Sequence, residues 1–212
     1  MRGAVGRGRE QWRVPRSRRP LVGAHEAIAL TLTTVVFDFD GTLLDSDEAL
    51  IAPFLVLGVP REDVRFGPLA VDECARLGVS LEDYVAGYDV NAAPPYDGVV
   101  ALLDELVARR VRWSVCSNKI GRYASAELAR LGWKPEVALF AEDFGGPKSV
   151  GPVLDAMGVP ASEVVFVGDT AHDRDCARDA GVRFALAGWN PRAAGEEGDA
   201  VLACPADLLA LL

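Results

Sequence analysis

The sequence predicts an α/β fold: a doubly wound parallel sheet with a small α-helical segment inserted after its first strand. Three observations point there. From residue 34 onward, short β-branched runs alternate with stretches of helical spacing. The runs are apolar throughout rather than alternating, as strands covered on both faces are. Residues 46–95 interrupt the alternation with helical patterns alone.

Taken in order, the first strand is expected over residues 34–39 (Thr-Val-Val-Phe-Asp-Phe). The insert follows at 46–95, with short helices at 48–57, 68–77 and 81–88. Ser80 followed by Asp83 is a capping-box spacing, and Pro94-Pro95 form a stiff return to the sheet. A helix over 98–110 carries Val99, Leu102, Leu103 and Leu106 on one face and ends in two arginines, which suit a helix C-terminus. Strands at 111–116 and 137–140 flank a helix at 122–131 that stops on Gly132. A helix at 150–157 precedes a strand at 164–167. A helix at 171–180, stopped by Gly181, precedes a strand at 182–186. An edge strand at 201–203 and a helix at 205–212, opened by proline, complete the chain. The domain reading is a core of 31–45 and 96–212, the insert of 46–95, and a basic leader of 1–30.

Charge narrows the partners. The 212 residues are 50% hydrophobic and carry net charge −9, but residues 1–20 hold seven Arg and one Glu. The other 192 residues hold 15 basic and 30 acidic side chains. A body so acidic repels nucleic acid and anionic membranes, so neither is an expected partner. No apolar run reaches the ~18 residues of a membrane span. Cys74, Cys116, Cys176 and Cys204 are scattered with no C-x-x-C pair, which fits reduced thiols and a cytoplasmic location. Cys116, inside an apolar run, reads as a small core residue.

Four clusters carry candidate chemistry, each at the C-terminal end of a strand or in the loop beyond it, where open α/β sheets bind ligands. Asp38 and Asp40 end the first strand and precede the turn Gly41-Thr42. Ser117-Asn118 end the second. Lys148, one of only three lysines, follows Gly145-Gly146-Pro147. Gly168-Asp169-Thr170-Ala171-His172-Asp173 end the fourth strand and open a helix. Singly, each has an ordinary reading: an Asx turn, a helix N-cap, a solvated loop lysine, acids at a helix N-terminus. Together and in this order they supply carboxylates for magnesium, a hydroxyl and amides for a phosphate oxygen, and a point positive charge. His172 is expected at the surface rather than in the chemistry.

This set resembles the four motifs of the haloacid dehalogenase (HAD) superfamily, over roughly residues 35–212. The insert and the tail at 200–209 are similar to the phosphoglycolate phosphatase-like branch with a helical cap. The resemblance implies a Rossmann-like core and a magnesium-dependent phosphohydrolase. Asp38 would be nucleophile and metal ligand, and Asp40 general acid/base with its carbonyl on the metal. Gly41, Thr42, Ser117, Asn118 and Lys148 would hold the phosphoryl group, Lys148 also pairing with Asp38. Asp169 would bind magnesium and Asp173 would support the metal site. Ser149 after the lysine, Tyr96-Asp97-Gly98 before the second-motif helix, and a short cap depart from the commonest pattern.

The rivals differ in the residues they need. A dehalogenase would lack Asp40. A phosphonate-cleaving member would need a lysine in 46–95, and a sugar phosphomutase would carry cap His and Lys; the insert has none of these. Phosphoglycolate phosphatase proper, or a HAD-fold binding protein without catalysis, are the alternatives. The insert itself has nine Asp or Glu against Arg61, Arg65 and Arg76. The expected substrate is therefore a small phosphorylated metabolite, one of those arginines reaching its far end. Oligomeric state is not legible.

Overall fold

The computed structural model describes residues 32–212; the basic leader expected over 1–30 lies outside the described residues. Six parallel strands form one sheet in the order β3-β2-β1-β4-β5-β6. They are β1 (Thr34–Phe37), β2 (Arg112–Cys116), β3 (Ala138–Leu139), β4 (Val164–Gly168), β5 (Arg183–Ala187) and β6 (Ala200–Leu202). The sheet order reverses between β1 and β4, the switch point at which a crevice opens beyond the strand ends.

Strand β1 is fully buried because both its faces are covered. Val35 and Phe37 face one core with Val115, Val165 and Val167, under α4 (Val99–Ala108) and α5 (Gly121–Leu131). Val36 faces the other with Cys116 and Phe166, under α6 (Gly151–Met157) and α7 (Ala171–Asp179). The period-two alternation of one strand thus feeds two separate helical layers.

Between β1 and α4 lie α1 (Asp47–Val56), α2 (Ala70–Leu77) and α3 (Leu81–Ala86). They have a small core of their own from Phe54, Val59, Cys74 and Tyr84. Ser80 caps α3 as its spacing suggested, accepting from the Glu82 and Asp83 amides.

The C-terminal segment departs from expectation. Pro205–Ala210 is a 3-10 helix rather than an α-helix. Pro205, Leu208 and Leu211 are spaced by three, so the tighter winding puts all three on the core side, with Leu208 fully buried. The first strand also ends sooner than expected, at Phe37, although the Asp38 amide still donates to the Val167 carbonyl at 2.8 Å. That last ladder bond fixes where the Asp38 side chain begins.

Candidate active site

The register aligns Phe37 with Val115 on one side and Val167 on the other, so Asp38, Ser117 and Asp169 emerge together at the strand ends. Asp38, Asp169 and Asp173 are all buried, and each offers a carboxylate oxygen within 4.8 Å of the others. Lys148 Nζ lies 2.7 Å from Asp38 Oδ1 and 2.6 Å from Asp173 Oδ1.

Each carboxylate is positioned differently. Asp169 accepts from Thr42 Oγ1 at 3.2 Å, Asn190 Nδ2 at 3.0 Å and Arg192 at 3.2 Å. Asp173 sits in the first turn of α7 and accepts from the Thr170 amide at 2.9 Å and the Thr170 hydroxyl at 2.6 Å, a reciprocal cap. Gly41 is required beside Asp169. Its φ is +76°, and a Cβ there would lie 2.5 Å from Asp169 Oδ2.

Electrostatics set the cluster apart from an ordinary acidic turn. Burial pushes Asp38 up to about 6 against the pull of Lys148. Burial, then the charges of Asp38 and Asp173, push Asp169 up to about 8. Burial also opposes the charge on Asp173, but Lys148 and Thr170 outweigh it and hold this carboxyl below its usual range. Burial works against Lys148 as well, yet Asp173 and Asp38 raise it above an ordinary lysine. Asp38 Oδ1 and Asp173 Oδ1 are sealed from solvent without an aligned hydrogen bond. An all-oxygen donor set carrying surplus negative charge fits a hard divalent cation such as magnesium.

The remaining expected site residues are spread over two shells. Ser117 and Lys148 line the cleft with Asp38, Asp40 and Asp169. Asn118 lines it too, but both ends of its amide are used: Nδ2 donates to the Gly67 carbonyl at 2.7 Å and Oδ1 accepts from the Lys148 amide at 2.7 Å. Gly41 and Thr42, expected at the phosphate, make their contacts with Asp169, Trp189 and Asn190. The Thr42 hydroxyl goes to Asp169, the Thr42 carbonyl accepts from Trp189 Nε1, and the Gly41 carbonyl accepts from Asn190 Nδ2. The Asp40 carboxylate stands apart from the three-carboxylate cluster and is held by Lys119 Nζ at 2.6 Å. His172 is half-buried rather than exposed, beside Cys176. Cys116 is buried in the core as expected.

Several residues were not found by sequence reasoning. Lys119 also pairs with Glu127 at 3.0 Å and donates to the Tyr88 hydroxyl at 2.7 Å. Burial raises the pKa of Glu127, Lys119 opposing it. The signal for Glu127 was present: it shares the 124, 128, 131 face of α5, so its carboxylate had to be buried. Arg192, in the loop after β5, grips Asp47 through two bonds of 2.6 and 2.7 Å and lies 3.8 Å over the Phe66 ring. It joins the insert to the acidic cluster, and no pattern in its loop marked it. Of the three insert arginines, Arg61 pairs with Glu48 and Arg76 with Glu73, while exposed Arg65 lines the cleft.

This constellation of buried carboxylates around a buried lysine sits on a switch-point crevice. The family model of haloacid dehalogenase-like hydrolases matches residues 35–187, and the chain belongs to that family. Its curated relatives include named phosphatases. A phosphoglycolate phosphatase of Xanthomonas campestris is 30% identical over 186 residues, 74% of this chain and 84% of that protein. An N-acetylmuramic acid 6-phosphate phosphatase of Pseudomonas aeruginosa is 28% identical, over 74% of this chain and 81% of that one. Among solved structures, CbbY from Rhodobacter sphaeroides in complex with phosphate has the same fold, with TM-score 0.66 and 20% identity over 86% of this chain and 99% of that one.

Proposed function

We propose that the protein is a magnesium-dependent phosphohydrolase that cleaves small phosphomonoesters through a phosphorylated Asp38. The observation that carries this is the buried trio Asp38, Asp169 and Asp173 around Lys148, at the C-terminal ends of β1 and β4.

Asp38 and Asp169, with the Asp40 carbonyl, would hold the metal, and Asp173 would support it by fixing Lys148. A bound magnesium offsets the repulsion between the Asp38 carboxylate and an incoming phosphate. Ser117 and the Asn118 main-chain amide orient the phosphoryl oxygens, and Lys148 neutralises the charge that spreads over them. An Asp38 carboxylate oxygen bonds to phosphorus as the ester P–O bond breaks, and Asp40 delivers its proton to the leaving oxygen. Asp40 then takes a proton from water. The water oxygen bonds to phosphorus, the Asp38–phosphoryl bond breaks, and phosphate leaves.

Helices α1–α3 act as a cap over the cleft, admitting what fits beneath them. Small-molecule phosphatases among the relatives support a small substrate. The acidity of the body opposes nucleic acid. Among the described residues no helix is long and apolar enough to cross a membrane. The four free cysteines support the cytoplasm, where thiols stay reduced, as the site of action. The test is hydrolysis of a phosphometabolite panel, a phosphopeptide and a 3′-phosphorylated oligonucleotide, with magnesium and with excess chelator. We expect metal-dependent turnover of the metabolites. Full activity in chelator, or preference for either polymer, would overturn the reading.

A further inference from the structure

On the phosphatase reading, the substrate alcohol sits in the cleft between the strand ends and the insert. The walls there come from Leu50 and Phe54 of α1, Val64 and Phe66 of the following loop, Tyr84 of α3, and Ile120 before α5. Phe54 and Tyr84 meet as tilted rings with centroids 4.5 Å apart, and Tyr88 and Tyr123 at 4.8 Å. These walls are apolar in what they offer, because their polar atoms are already engaged. The Tyr84 hydroxyl is aimed at the Leu50 carbonyl at 3.4 Å, and that of Tyr123 donates to the Val85 carbonyl at 2.7 Å. The Tyr88 hydroxyl donates to Glu127 and accepts from Lys119. Lys119 faces Asp40, Glu127 and Tyr88, matching its three protons. Glu73 is bound by Arg76 and by the Arg65 amide, and Arg192 by Asp47 and Asp169. Among the cleft cations, Arg65 alone has no ion pair among the described residues, and it is exposed.

We infer that the preferred substrates are phosphomonoesters of apolar or aromatic alcohols rather than of sugars or other polyols. A polyol entering this space gives up its hydrogen bonds to water and, exposed Arg65 apart, finds the donors and acceptors of the walls already satisfied, which costs binding. An apolar or aromatic group gives up no hydrogen bonds there and buries its surface against the apolar wall. The inference rests on the phosphatase reading above and narrows it to a substrate class.

The experiment compares benzyl phosphate with ribose 5-phosphate. Both leave as primary alkoxides, so intrinsic reactivity is matched. p-Nitrophenyl phosphate reports catalysis independently. We expect kcat/KM for benzyl phosphate to exceed that for ribose 5-phosphate by about tenfold or more, expressed mainly in KM. If none of the three esters is hydrolysed, the phosphatase reading itself fails. If turnover is seen and ribose 5-phosphate equals or exceeds benzyl phosphate, the substrate inference alone fails. A second arm uses Ile120→Ser. Ile120 is the N-cap of α5 and makes no side-chain cap bond, so serine, a favoured N-cap, keeps the helix while removing apolar wall and adding a hydroxyl. The benzyl-to-ribose ratio is expected to fall several-fold in this variant. An unchanged ratio would show that the wall does not set the preference and would overturn the inference.

Discussion

Lys148 Nζ stands 2.7 Å from Asp38 Oδ1, and both side chains are almost sealed from solvent. The same nitrogen meets Asp173, so one buried cation compensates two buried anions beside a third. Lys148→Met leaves those charges facing one another. Breaking a buried pair by removing one partner costs about 3–5 kcal/mol. We expect a loss of that order in urea denaturation with chelator present, partly recovered by magnesium, and loss of turnover. Undiminished stability in chelator would contradict this compensation.

Protons and metal compete for the same oxygens. Asp169 is pushed up to about 8 and Asp38 to about 6 from an ordinary 3.8, by burial first. The native state therefore holds protons that the unfolded chain has released. Without metal, stability contributed by these two groups falls as pH rises from 3.8 through their folded values, by at most about 1.4 kcal/mol per pH unit for each group. Asp173, shifted down, acts only below that window. Magnesium replaces the protons, so the rise in Tm that it causes should be larger at pH 8 than at pH 6. Thermal scans with magnesium and with chelator at both values check this; a larger rise at pH 6 would contradict it.

Arg192 is the physical link between the insert and the acidic cluster. Its two bonds to Asp47 and its place over Phe66 hold the start of the insert against the loop that also reaches Asp169. Arg192→Ala removes a bidentate pair and a cation–π contact together. We expect KM to rise about tenfold with a smaller change in kcat, and proteolysis within 46–95 to quicken. Lysine at this position should restore little, because it lacks the planar fork. An unchanged KM would mean that the clasp does not bear on substrate binding.

The fold was legible because buried parallel strands leave apolar β-branched runs, and the glycines at 132, 158 and 181 mark where the intervening helices stop. The C-terminal segment was misjudged because proline followed by apolar residues starts an α-helix and a 3-10 helix alike; the three-residue spacing of Pro205, Leu208 and Leu211 decides between them. At the site, residues at strand ends were legible since strand register brings them to one height. The contact of the Thr42 hydroxyl with Asp169 was not legible, because which way a turn hydroxyl swings depends on its neighbour across the sheet. Arg192 and Asn190 were invisible. They lie in an aperiodic loop and reach the site only through tertiary packing.

The central claim is that Asp38 carries the phosphoryl group. The most direct measurement is intact-protein and peptide mass spectrometry of Asp40→Asn, quenched in acid after exposure to a hydrolysable phosphomonoester and magnesium. Asparagine at 40 cannot activate water, so the second step is slowed and the intermediate persists. We expect a gain of one phosphoryl group, mapped to Asp38 and absent from the Asp38→Asn variant. A phosphoryl group on any other residue, or hydrolysis by Asp38→Asn at more than about a hundredth of the wild-type rate, would contradict the account.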